Sequence, residues 1–184
     1  HSTSSNGGGH SGGSSGGNAA DTQPPADNTT GSAVQTGSFR DVNTGNWYYS
    51  AVEYVAKKGI MTGISASSFG PNLDTTRGMI VTILYRLENQ PTGTEAAAFS
   101  DVRAGQYYAD AIAWANANGI VTGYGNGLFG PHDAITREQM VAILYRYAQY
   151  KEYDVSASAE LTAFSDAASV SGYAVDAMKW ANAA

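Results

Sequence analysis

Residues 39–87 and 99–147 are two copies of one pattern, set 60 residues apart without a gap, with 20 of 49 aligned positions identical. Phe39-Arg40-Asp41-Val42 returns as Phe99-Ser100-Asp101-Val102, Gly59-Ile60-Met61-Thr62-Gly63 as Gly119-Ile120-Val121-Thr122-Gly123, and Thr76-Arg77 as Thr136-Arg137. A third copy opens at Phe164-Ser165-Asp166 and reaches Ala177-Met178-Lys179-Trp180 with one residue inserted. Such a chain folds as an array, and its function is to be sought in what the copies share.

Each copy reads as helix, Gly-rich connection, helix. Tyr48, Ala51, Val52 and Val55 fall at helical spacing and are matched by Tyr108, Ala111, Ile112 and Ala115. Gly59 and Gly119 then supply a C-terminal stop, which predicts a first helix of about a dozen residues. Phe69-Gly70-Pro71 punctuates the connection. In the second helix Ile80, Ile83, Leu84 and Leu87 form an apolar stripe, repeated as Met140, Ile143, Leu144 and Tyr147. Thr136 with Gln139 has the form of a capping box, which Met79 leaves incomplete in the first copy. Two short helices cannot bury both stripes alone, so the copies are expected to pack on one another and leave grooves at their junctions.

Residues 1–38 differ in kind. They are Ser, Gly, Asn, Thr and Pro with almost no large apolar side chain, so no burial offsets the entropy of ordering them. They read as a disordered Gly/Ser-rich tether. The remaining residues are rich enough in aromatic and aliphatic side chains for a compact core. The first residue is His and the last lies in an apparent helix, so the chain reads as a fragment of something longer.

Ten Lys plus Arg against sixteen Asp plus Glu give a net charge of −6, which argues against a basic nucleic-acid-binding face. There is no cysteine to form disulfides and no apolar run long enough to insert in a membrane. The three histidines have no metal-ligand spacing, and neither a nucleophile with its base nor a recurring carboxylate pair is visible. The Gly123-x-Gly125-x-Gly127 run lacks phosphate-loop spacing and reads as a turn. No cofactor and no catalysis are expected of the repeats.

The leading candidates are the arginines that open the second helices. A cation there faces the positive end of the helix dipole, at a cost of about 0.3–1 kcal/mol unless an anion sits nearby. A carboxylate bound at that point would meet helix N–H groups, the Thr76 or Thr136 hydroxyl and the guanidinium fork of Arg77 or Arg137. The same arginines can instead pair internally with Asp41 or Asp101, or with carbonyls that end another helix. Aromatic residues such as Trp47 and Tyr107 read either as sugar-stacking platforms or as packing between repeats.

The order F-x-D-V, an aromatic pair with A-V or A-I, G-I-x-T-G, F-G-P, then T-R and an apolar helix, resembles the S-layer homology module. The match spans residues 39–184, as one module over 39–98, a second over 99–163 and the front of a third, truncated one over 164–184. The resemblance implies a mainly α fold, with helix-loop-helix repeats packed as a pseudo-threefold bundle. It also implies an extracellular, non-catalytic anchor at the bacterial cell wall. The partner is then the secondary cell-wall polysaccharide linked to peptidoglycan, often acidic or pyruvylated, held in grooves between modules.

The family's second-helix motif, T-R-A-E, uses its arginine on the polymer; Thr76-Arg77 and Thr136-Arg137 match its first half, while Gly78-Met79 and Glu138-Gln139 depart from the rest. Asp41, Asp101, Gly63 and Gly123 are implied as groove neighbours, with folding roles equally open. Two alternatives remain: a module for self-assembly into a surface lattice, using surface left open by the incomplete third module, and the anchor of a larger extracellular hydrolase.

Overall fold

The structure, a computed structural model, describes residues 39–97 and 99–183. The tether expected over residues 1–38 lies outside them. Five helices follow in order: α1 Tyr49–Lys57, α2 Arg77–Leu87, α3 Ala109–Ala117, α4 Arg137–Tyr150 and α5 Val175–Ala183. Two single 3-10 turns, Ala167–Ser169 and Gly172–Ala174, lead into α5, and among the described residues there is no strand beyond isolated bridges.

The helix boundaries follow the local chemistry. Thr76 and Thr136 cap α2 and α4 by accepting the Met79 and Gln139 amides, and only Thr136 completes the reciprocal box through the Gln139 side chain. The first helix of each full copy is nine residues long, shorter than its apolar pattern predicts. In the first copy the missing turn is taken by a tight bend in which the Asn46 side chain accepts the Asn43 amide, and Tyr48 serves as N-cap.

Packing crosses the repeats rather than staying within them. The second helix of one copy lies against the first helix of the next: α2 on α3, and α4 on α5. The main core joins Val81, Leu84 and Tyr85 of α2 to Ile112 and Trp114 of α3, with Ile143 and Tyr147 of α4. Only a small cluster, Phe39, Val42, Val52 and Ala56, belongs to the first copy alone. Position in the array therefore decides burial. Trp114 on α3 is 2 % exposed, whereas Tyr54, its counterpart on α1, is 61 % exposed because among the described residues no earlier helix covers it.

The connection of the second copy also docks onto the N-terminus of α2. The Arg77 and Gly78 amides donate to the Asp133 and Pro131 carbonyls at 3.0 and 2.9 Å, and the Ile135 amide donates to Thr75. This contact explains why glycine follows the arginine in the first copy. A Cβ on Gly78 would stand 2.8 Å from the Pro131 oxygen, too close for any side chain. A further tie runs from Glu88, at the end of α2, to the Tyr147 hydroxyl and the Lys151 ammonium of the second copy.

Candidate functional site

Clefts lie along the array among the described residues. The first, about 160 Å3, takes Gly63, Asp74 and Arg86 from the first copy and Tyr107 from the second. The second, about 410 Å3, takes Arg77 from the first copy, Thr122, Gly123 and Arg146 from the second, and Tyr173 from the third. The third, about 480 Å3 and largely apolar, lies between α4 and α5, with Arg137, Leu161, Phe164 and Asp166 on its walls.

The first two clefts are the same place in successive copies. Gly63, Arg86 and Tyr107 correspond to Gly123, Arg146 and Tyr173, the last pair offset by 66 because of the inserted residue. Each is floored by the G-I-x-T-G turn and the second helix of one copy, and each is closed by the tyrosine two residues before the first helix of the next. Trp47 holds the same register, and with no earlier copy beside it among the described residues it is 93 % exposed.

The two helix-opening arginines have different surroundings. Arg77 is 6 % exposed. Its Nε donates to the Phe129 carbonyl at 2.9 Å and an Nη to the Thr122 carbonyl at 3.3 Å. Its guanidinium also lies 4.6 and 4.7 Å from the Tyr124 and Phe129 ring centres. It therefore pairs with carbonyls of the following copy and not with Asp41 or Asp101. The anion pocket expected at the start of α2 does not form, since two of the N–H groups it needed are bonded to Asp133 and Pro131. Arg137 stands exposed on the wall of the third cleft beside Thr136.

The opening aspartates hold the loops. Asp41 accepts the Ser68 hydroxyl at 2.7 Å and the Phe69 and Gly70 amides at 2.8 Å, and Asp101 accepts the Phe129 and Gly130 amides at 2.9 and 2.7 Å. Burial pushes the Asp41 carboxyl up, but these three donors prevail and hold it down at about 2. The same balance keeps Asp101 below the usual carboxylate range. Neither aspartate borders a cleft. Gly123 does border one, yet packing also fixes it, since a Cβ there would strike the Leu128 oxygen and the Phe99 ring.

Two cleft residues escaped the sequence reading. Arg146 lines the second cleft from α4 and Tyr173 closes it, although Arg86 and Arg146 are identical at matched positions and carried a readable signal. Tyr173 was hidden by the insertion in the third copy. Its hydroxyl donates to Glu138, which also accepts the Ser171 amide and hydroxyl at 2.9 Å. Glu138, where the first copy has Gly78, thus fastens the third copy to the start of α4.

A family model described as the S-layer homology domain matches residues 38–78 and 98–141, the two segments that hold the first helix, the connection and the start of the second helix of each full copy. These two tandem segments are S-layer homology domains. Among its relatives, an amylopullulanase of Thermoanaerobacterium thermosulfurigenes is 37 % identical over 141 residues, which is 74 % of this chain and 7 % of that protein. An endoglucanase of Bacillus sp. (strain KSM-635) is 32 % identical over 152 residues, 83 % of the chain and 16 % of the enzyme. An S-layer protein of Bacillus thuringiensis subsp. finitimus is 33 % identical over 108 residues, 58 % of the chain and 13 % of that protein. The chain therefore spans at most 16 % of the length of these relatives. No helix among the described residues is long and apolar enough to cross a membrane.

Proposed function

We propose that these S-layer homology repeats are a non-catalytic anchor that holds a larger protein at the bacterial cell surface by binding an anionic secondary cell-wall polysaccharide in the cleft between successive repeats. The observation that carries this reading is the second cleft: two arginines line it, no carboxylate does, and aromatic rings stand at its rim. In a molecule of net charge −6, that local concentration of positive charge favours an anionic ligand. Half-exposed Tyr173 offers a flat face to a sugar ring, and the open cleft admits a chain end. Relatives named as glycan-degrading enzymes and as an S-layer protein share the repeats but not a common activity, which supports attachment as the shared task.

The exposed face of α1, carrying Ala51 and Tyr54, corresponds to the faces of α3 and α5 that a preceding second helix covers. A complete third repeat would have a helix to lay there, closing the array into a pseudo-threefold bundle. The same bare face favours a second reading, self-association into a surface lattice.

Retention on wall sacculi, before and after chemical removal of the secondary polymer, tests the first reading against the second. Loss of retention on stripped walls is the expected result. Equal retention on both would refute glycan anchoring and favour protein–protein contact.

A further inference from the structure

We infer that Asn126, on the turn at the edge of the second cleft, is a site of spontaneous covalent modification. Its side-chain amide is lost to attack by the Gly127 backbone nitrogen, which leaves an aspartyl or isoaspartyl residue in its place. The chemistry of the turn carries this, whatever ligand the cleft takes.

Among the described residues two asparagines precede glycine, Asn118 and Asn126. A following glycine matters because no Cβ shields the attacking nitrogen. Both pairs are exposed to solvent, so access to water does not separate them. Hydrogen bonding does. The Asn118 Nδ2 donates to the Trp114 carbonyl at 2.8 Å, and the Gly119 amide donates to the Asn116 carbonyl at 3.1 Å. Leaving group and nucleophile are thus both tied to the end of α3.

At Asn126 neither is tied. Among the described residues its Nδ2 and the Gly127 amide make no hydrogen bond. The Asn126 Oδ1 instead accepts the Leu128 amide at 3.1 Å. That donor sits on the oxygen where negative charge develops when Cγ is attacked, which stabilises a tetrahedral intermediate. Gly127 has a φ of 81°, which favours glycine, so the turn that needs this residue also leaves its neighbour open to attack.

The reaction needs no co-reactant but water. A bond forms between the Gly127 nitrogen and Asn126 Cγ, the Cγ–Nδ2 bond breaks, and the Gly127 amide proton leaves on ammonia, giving a cyclic succinimide. Water then opens the ring. Cleavage at Cγ gives aspartate, cleavage at the main-chain carbonyl gives isoaspartate with an extra backbone methylene, and nothing is oxidised or reduced.

The product alters the molecule at two points. The Gly127 carbonyl accepts the Ser100 amide at 3.0 Å, tying the opening of the second copy to its connection, and an added methylene displaces it. A carboxylate also appears beside Gly125, on the wall of a cleft that no acid lines. On the anionic-glycan reading above, that charge opposes the ligand, so wall retention falls as the protein ages. The first copy has Ala66-Ser67 at the matched place and is not subject to this change.

The test ages the full chain in mildly alkaline buffer, native and in urea, and scores each asparagine by peptide mapping, with Asn6, which also precedes glycine, scored apart. In the native protein Asn126 should convert about tenfold faster than Asn118, the effect of freeing two hydrogen-bonded groups. In urea the two rates should converge. Isoaspartyl methyltransferase should label the aged native protein at this turn but not Asn126→Gln, whose longer side chain must close a larger ring. Equal rates in the native protein, or a tenfold difference that persists in urea, would overturn the inference.

Aged wild-type protein should bind polymer-bearing sacculi about twofold to fivefold more weakly than fresh protein, the effect of one solvent-screened charge. Aged Asn126→Gln should match its fresh form. Conversion of Asn126 with unchanged retention would overturn the link to the cleft and leave the modification standing. Fresh protein that ignores the polymer would overturn the glycan reading alone.

Discussion

Asp41 and Arg77 illustrate how charged side chains that repeat in a sequence can serve the fold. Asp41 gathers three donors of one loop, and Arg77 bridges two repeats through backbone carbonyls. Their recurrence was legible, but their partners were not, because a loop carbonyl leaves no mark in residue identity. The depressed Asp41 carboxyl makes a signed prediction. Its folded value of about 2 lies below the unfolded carboxylate range near 4, so its contribution is fully present above pH of about 4 and is lost as pH falls through about 2. Asp41→Asn should lower stability at neutral pH by about 1–3 kcal/mol, and its melting temperature should fall less than wild type's as pH drops through that window. Parallel acid dependences in both proteins would show that Asp41 is not the titrating clamp.

Helices α1 and α3 are the same element at two stations in the array. Their boundaries, caps and apolar faces follow from spacing, and that much of the fold was readable. The neighbour covering each face was not, since periodicity identifies an apolar stripe without saying which element lies upon it. In the structure, α2 supplies that cover for α3, and among the described residues α1 has none from an earlier repeat. Equivalent substitutions should therefore have unequal effects. Trp114→Ala removes a ring packed between α2 and α4 residues and should cost about 3–5 kcal/mol. Tyr54→Ala, at the matched site on α1, should change stability by less than about 0.5 kcal/mol. Urea denaturation of both variants reads the difference directly; similar losses would mean that α1 is covered in solution.

Across the whole molecule, core and clefts arise at the same junctions. Crossing from α2 to α3 buries the main cluster, and docking of the second connection onto α2 carries Arg77 to the wall of the second cleft. A repeat taken alone has neither feature, so the site belongs to the array. Chemical-shift mapping during titration with soluble fragments of the secondary wall polymer measures this most directly. The amides of residues 121–125, the inner face of α4 around Arg146, and Tyr173 should shift together and saturate at one concentration. Shifts confined to residues of a single repeat outside the second cleft, or none at all, would contradict a binding site built where repeats meet.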